Sequence, residues 1–119
     1  MMDTRTELQN NVQSIADELK ALYEADYTDE EREEKEQNGE AYDLYSYFDD
    51  ALDIEYTISS RGDFLGARIY VTLGGPNIYV DTRGGEVVGH WGSDEARAWI
   101  PSEICDEINY IFEELYQCL

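Results

Sequence analysis

Positive charge is scarce in this sequence. Eight lysines and arginines stand against 28 aspartates and glutamates, a formal net charge of −20 over 119 residues. Nucleic acids and anionic membranes are held by clustered Lys and Arg, so the composition argues against either as a direct ligand. One histidine and two cysteines leave no zinc spacing of the C-x-x-C or H-E-x-x-H kind. Long apolar runs are missing too: nothing approaches the roughly 20 residues that span a bilayer. The opening MMDTRTELQNN lacks the basic and apolar regions of a secretory leader, so a cytoplasmic location is expected.

Catalytic patterns are equally scarce. The glycine pairs in TLGGPN and TRGGE match neither a phosphate loop nor a dinucleotide fingerprint and read as turns. RGD at 61–63 fits a hairpin tip. Asp49, Asp50 and Asp53 lie close together without the D-x-D-x-D-G order of a calcium loop. His90 reads as a strand-end residue beside Trp91, and pairing it with Cys105 or Cys118 would lack a third, orienting group. No residue set nominates an enzyme, and neither a metal nor a cofactor is expected. The two cysteines fall in one helical pattern, where thirteen residues at about 1.5 Å each would separate them by roughly 20 Å. Reduced thiols packed at the core edge are expected.

What is present suits one folded domain over residues 1–119: 42% hydrophobic residues, including ten tyrosines. Leu8, Val12, Ile15, Leu19 and Leu22 alternate steps of four and three, predicting an amphipathic helix over 4–25. Thr4 with Glu7 fits a capping box, and Lys20 with Glu24 an i,i+4 pair. Thr28 with Glu31 repeats the box, and Asn38-Gly39 is a stop signal. Between them no aliphatic side chain offers a dock, so 26–40 is an acidic helix or a mobile loop. A second, aromatic helix is expected over about 40–51, with Ala41, Leu44, Tyr45, Phe48 and Leu52 inward and Asp43, Tyr47 and Asp50 outward.

The hydrophobic period then changes to two. Leu52, Ile54, Tyr56 and Ile58 mark one strand; Leu65, Ala67, Ile69, Val71 and Leu73 mark the inward side of the next, with Arg68, Tyr70 and Thr72 outward. NIYVDT, with Tyr79 outward, and EVVGHW follow. The connections SRGD, GGPN and RGG are short hairpin turns, which force an antiparallel four-stranded meander over 52–91. GSDEARAWIPSE fits either a short helical turn capped by Ser93 or an edge strand over 96–100. From Ser102 a C-terminal helix turns Ile104, Ile108, Ile111, Phe112, Leu115 and Leu119 inward. The expectation is an α+β domain: two N-terminal helices, a four-stranded meander and a C-terminal helix packed on the sheet.

The acidity is regional. Residues 28–40, TDEEREEKEQNGE, hold seven carboxylates and two cations, whereas the strands over 64–92 are neutral. Uniform enrichment of the halophilic kind would have charged the outward strand positions as well. Carboxylates three or four residues apart on a helix stand about 5–6 Å apart, and a DNA strand carries one charge per ~3.4 Å. Asp29, Glu30, Glu33, Glu34, Asp43 and Asp50 are therefore candidates to imitate phosphates before a cationic cleft. Tyr42 and Tyr47 are candidate anchors between them. Glu103, Asp106, Glu107, Glu113 and Glu114 form a candidate second acidic face on the C-terminal helix.

A small, cysteine-poor domain with acidic helices and a neutral antiparallel sheet resembles the anti-CRISPR and antirestriction inhibitors of phages and mobile elements. The resemblance rests on size, charge and architecture, not on a motif. It implies competition with DNA for the basic groove of a Cas9-type effector or a restriction enzyme. An immunity protein against a nuclease toxin would share the electrostatics. A different reading makes the outward sheet face, Arg68, Tyr70, Thr72 and Tyr79, the interface of an assembly module or homodimer; the oligomeric state is left open.

Overall fold

The computed structural model describes residues 3–119. The cap of helix α1 (Thr4–Glu24) lies one residue earlier than expected, because Asp3 accepts from the Thr6 amide at 2.7 Å. Thr4 is thus the first helical residue and not the cap. That bond holds the Asp3 carboxyl below its ordinary range. Leu8, Val12, Ala16, Leu19 and Leu22 form the buried stripe, with Ile15 half-buried at its flank. Lys20 lies 5.6 Å above the Trp99 ring rather than pairing with Glu24.

Helix α2 (Asp29–Gln37) is followed by a shorter aromatic helix than the period suggested. Helix α3 covers only Leu44–Tyr47 and runs into a 3-10 turn over Phe48–Asp50. Asp43 caps α3, its carboxylate accepting from the Ser46 amide at 2.7 Å. Leu44 and Phe48 face the core, and Tyr47 packs against it, while Tyr45 and Leu52 are exposed. The expected orientations of Tyr45 and Tyr47 are therefore exchanged. On a helix of 3.6 residues per turn Tyr47 stands about 60° from Leu44 and Tyr45 about 100° on the other side. The nearer of the two is the one that packs on the core.

The sheet has five strands, not four: β1 (Asp53–Ile58), β2 (Phe64–Thr72), β3 (Asn77–Asp81), β4 (Glu86–Trp91) and β5 (Asp94–Trp99). They lie in chain order, each antiparallel to its neighbour. GSDEARAWIPSE thus resolves as a strand and not as a helical turn from Ser93. Ala96 and Ala98 point inward, opposite Gly89 and Val87. These small residues make a shallow platform on which α1 lies. A Cβ at Gly89 would stand 2.8 Å from one Leu8 methyl and 2.9 Å from one Val12 methyl, so only glycine admits the helix at this depth.

Two irregularities in pairing redirect β2. Register shifts lie between Thr57 and Ile58 and between Tyr70 and Thr72. Each breaks the two-residue alternation. Leu65 and Leu73, expected inward, are exposed, and Phe64 packs on the core in place of Leu65.

Helix α4 (Ser102–Gln117) covers the β2 side of the same sheet face with Ile104, Cys105, Ile108 and Phe112. Phe112 meets Phe48 edge-on at 5.4 Å. Burying each such aliphatic or aromatic side chain contributes about 1.5–3 kcal/mol. The apolar stripe outlasts the core it covers: Leu115 and Leu119 are exposed. Cys105 is buried, but Cys118, at the C-cap, is exposed and not at the core edge. Both are free thiols. No helix among the described residues is long and apolar enough to cross a membrane.

Candidate acidic interaction surface

Helix α2 is built by its ends. Thr28 accepts from the Glu31 amide at 3.2 Å, and the Glu31 carboxylate accepts from the Thr28 amide at 3.4 Å. Asp29, Glu30 and Glu31 then occupy the first turn, where the helix dipole favours negative charge. At the other end Gly39 adopts φ 73°, letting its amide reach the Glu36 carbonyl at 3.1 Å and the Glu40 amide reach the Lys35 carbonyl at 2.8 Å. So 26–40 contains a helix, and it buries no residue.

What docks it is a pair of cations, a device the aliphatic pattern did not disclose. The Arg32 guanidinium lies 5.6 Å from the Tyr42 ring centroid, and the Lys35 ammonium 4.8 Å from that of Tyr27. Each such contact is worth about 0.5–1 kcal/mol at an exposed site. Asp29, Glu30, Glu33 and Glu34 are exposed without an ion-pair partner among the described residues.

Asp50 lies beside the C-terminal end of α2, where several carboxylates meet. Glu18 of α1, Glu36 of α2, Glu40, Asp49 and Asp50 line a groove of about 350 Å³. Tyr42 and Tyr47 form part of its wall. Burial, with the nearby Glu18 charge second, pushes the Tyr47 hydroxyl up to about 12. Lys35 pairs with Glu40 at 3.7 Å. The carboxylates come from three separate parts of the chain, and sequence spacing offered no signal for Glu18, Glu36, Glu40 or Asp49 as one set. Among the described residues no group of acids, histidines or cysteines is placed to hold a metal ion.

Asp43 differs from the other candidates. Its carboxylate is engaged at the α3 N-terminus and is only partly exposed, so it is a poorer phosphate imitator than its neighbours. On α4, Glu103, Asp106, Glu107, Glu113 and Glu114 are all exposed and free of ion pairs among the described residues. Glu107 and Arg32 line a common hollow, which brings the second acidic face within reach of α2.

The remaining ion pairs lie on the sheet face opposite the helices. Arg97 bonds Glu86 and, at 3.2 Å, Glu95; Arg68 stands 3.9 Å from Asp81, and His90 stands 3.7 Å from Glu95. Tyr70, Tyr79 and His90 stack across β2, β3 and β4, and Arg68 lies 5.1 Å over Tyr79. Tyr79, expected outward and available, is on the outer face but buried beneath these neighbours. Tyr70 donates to Glu55 at 3.2 Å, and Thr72 donates to the Pro76 carbonyl at 2.9 Å. Tyr70 and Thr72 are thus hydrogen-bonded on this face, Arg68 pairs with Asp81, and Tyr79 is covered by its neighbours.

No family model matches the chain, and comparisons with curated proteins and with solved structures return no significant similarity.

Proposed function

We propose that this protein is a stoichiometric inhibitor that occupies the basic nucleic-acid-binding surface of a DNA-handling enzyme, presenting carboxylates where the enzyme expects phosphates. The reading gives it no catalytic role and places its action in the cytoplasm. A Cas9-type effector or a restriction enzyme has the required basic channel.

One observation carries the reading. The cations near the acidic helix rest on tyrosine rings, and most other ion pairs lie on the far sheet face. Apart from Glu40, which pairs with Lys35, the carboxylates of α2 and its groove form no ion pair among the described residues and are left for an external cation. Such a field raises the association rate with a Lys/Arg-lined cleft and is weakened by salt. The internal satisfaction of the sheet face favours this reading over an assembly module built on Arg68, Tyr70, Thr72 and Tyr79.

The test is retention of purified DNA-handling enzymes, Cas9-type effectors and restriction endonucleases among them, on the immobilised protein. A target should hold at low salt and elute between about 0.1 and 0.5 M, as the screening length falls from ~10 Å to a few Å. Retention insensitive to salt would count against an electrostatic mimic.

A further inference from the structure

The apolar stripe of α4 runs past the core and borders an open groove between α3 and α4. A hollow of about 650 Å³ has Leu22, Leu44 and Ile111 in its lining, with Tyr45 and Tyr110 on its sides. It continues past Tyr45 and Ile111 into recesses of about 190 and 220 Å³ that reach Leu115. Tyr45 is 61% and Tyr110 63% exposed, and Leu115 is 42% exposed. Large apolar side chains gathered in this way mark an interaction surface, whereas single ones need no explanation.

The rim supplies the sign of the occupant. Asp43, Asp49, Glu107 and Glu114 border the groove, and among the described residues Arg32 is the only base in its lining. A second copy of the chain would bring these carboxylates against their own counterparts, at a net charge of −20 on each partner. The walls are mostly helices, with Ile54 of the edge strand β1 at one recess, so a seated helix fits them better than an added strand. Affinity has to come from side chains entering the recesses, the mode in which an amphipathic helix lies in a groove.

We propose that the α3–α4 groove is a docking site for an amphipathic helix of a partner protein, its apolar stripe seated on Tyr45, Tyr110, Ile111 and Leu115 and its flanks basic. This site adjoins the α2 surface, with Arg32 in its lining, but its apolar seat on α3 and α4 does not depend on the DNA-mimic reading.

Synthetic helical peptides of about 18 residues, five turns, provide the probe. One carries a Leu stripe with Lys/Arg flanks, a second the same stripe with Glu flanks, and a third the basic composition scrambled. Fluorescence anisotropy of each labelled peptide measures binding to the intact protein. The basic amphipathic peptide is expected to bind, and to slow thiol modification at Cys118, which borders the groove. Tyr45→Ala and Tyr110→Ala, both at exposed positions, should each weaken it about tenfold. Neutralising Glu30, Glu33 and Glu34 on α2 should change affinity far less. Equal binding of the scrambled or Glu-flanked peptide would overturn the proposal. So would groove variants without effect, or self-association in sedimentation that Tyr110→Ala abolishes. Failure of salt-dependent enzyme retention would leave the peptide result standing, so the two ideas fail separately.

Discussion

Arg32 holds its guanidinium 5.6 Å from the centroid of the Tyr42 ring. With Lys35 over Tyr27, this contact ties a helix that buries none of its own residues to half-buried tyrosines of its two flanking segments. The tether gives both cations of α2 an aromatic partner, Lys35 pairs also with Glu40, and Asp29, Glu30, Glu33 and Glu34 form no ion pair among the described residues.

Removing the tether should loosen the helix without unfolding the domain. In Arg32→Gln combined with Lys35→Gln, amide hydrogen exchange over residues 30–37 should lose protection. The loss of about 0.5–1 kcal/mol per contact should be local, leaving the denaturation midpoint of the core nearly unchanged. Unaltered exchange would mean that the caps alone hold α2.

Gly89 should be among the least replaceable residues. Its missing Cβ gives Leu8 and Val12 their seat, with close approaches of 2.8 and 2.9 Å for any substituent. Gly89→Ala should destabilise by about 1–3 kcal/mol through overpacking, measured by urea denaturation. Wild-type stability in the variant would show that α1 moves away freely.

Tyr47 makes stability depend on alkaline pH. Its hydroxyl is raised from the ordinary 10.0 to about 12 in the folded protein, by burial first and by Glu18 second. The unfolded chain therefore ionises there first. This contribution is whole below pH 10 and is lost as pH rises from 10 through 12. Tyr47→Phe should flatten that part of the stability profile and remove a late-titrating tyrosine from the ultraviolet absorbance curve. An unchanged curve would place the Tyr47 hydroxyl in water.

The two thiols should react at very different rates. Burial raises the Cys105 thiol, with Asp106 and Asp81 adding to the effect, whereas Cys118 is exposed. A disulfide reagent should modify one thiol per chain promptly under native conditions and the second only on unfolding. Cys118→Ser should abolish the prompt phase.

Where a repeating pattern ran unbroken, the fold was legible in the sequence. The α1 stripe, the Thr28–Glu31 box and the short hairpin turns led to the right elements. Legibility failed where geometry departs from a simple period. The register shifts in β2 expose Leu65 and Leu73, and the 3-10 turn ends the helical phase that should have buried Leu52. Strand β5 was ambiguous because alternating alanines carry little apolar signal, and they are alanines because α1 lies directly above them. At the candidate surface, the exposure of Asp29, Glu30, Glu33 and Glu34 followed from composition. The groove joining Glu18, Glu36, Glu40, Asp49 and Asp50 did not, because tertiary contact alone unites those positions.

Competition with duplex DNA separates phosphate mimicry from any other mode of binding. A labelled duplex bound to each of several Cas9-type effectors and restriction endonucleases would be titrated with the protein and with a variant carrying Glu30→Gln, Glu33→Gln, Glu34→Gln and Asp50→Gln. The account predicts that the protein displaces DNA from at least one enzyme at a fixed stoichiometry, and that the variant loses most of this ability while remaining folded. Displacement by the variant at undiminished affinity, or no displacement from any enzyme, would contradict it.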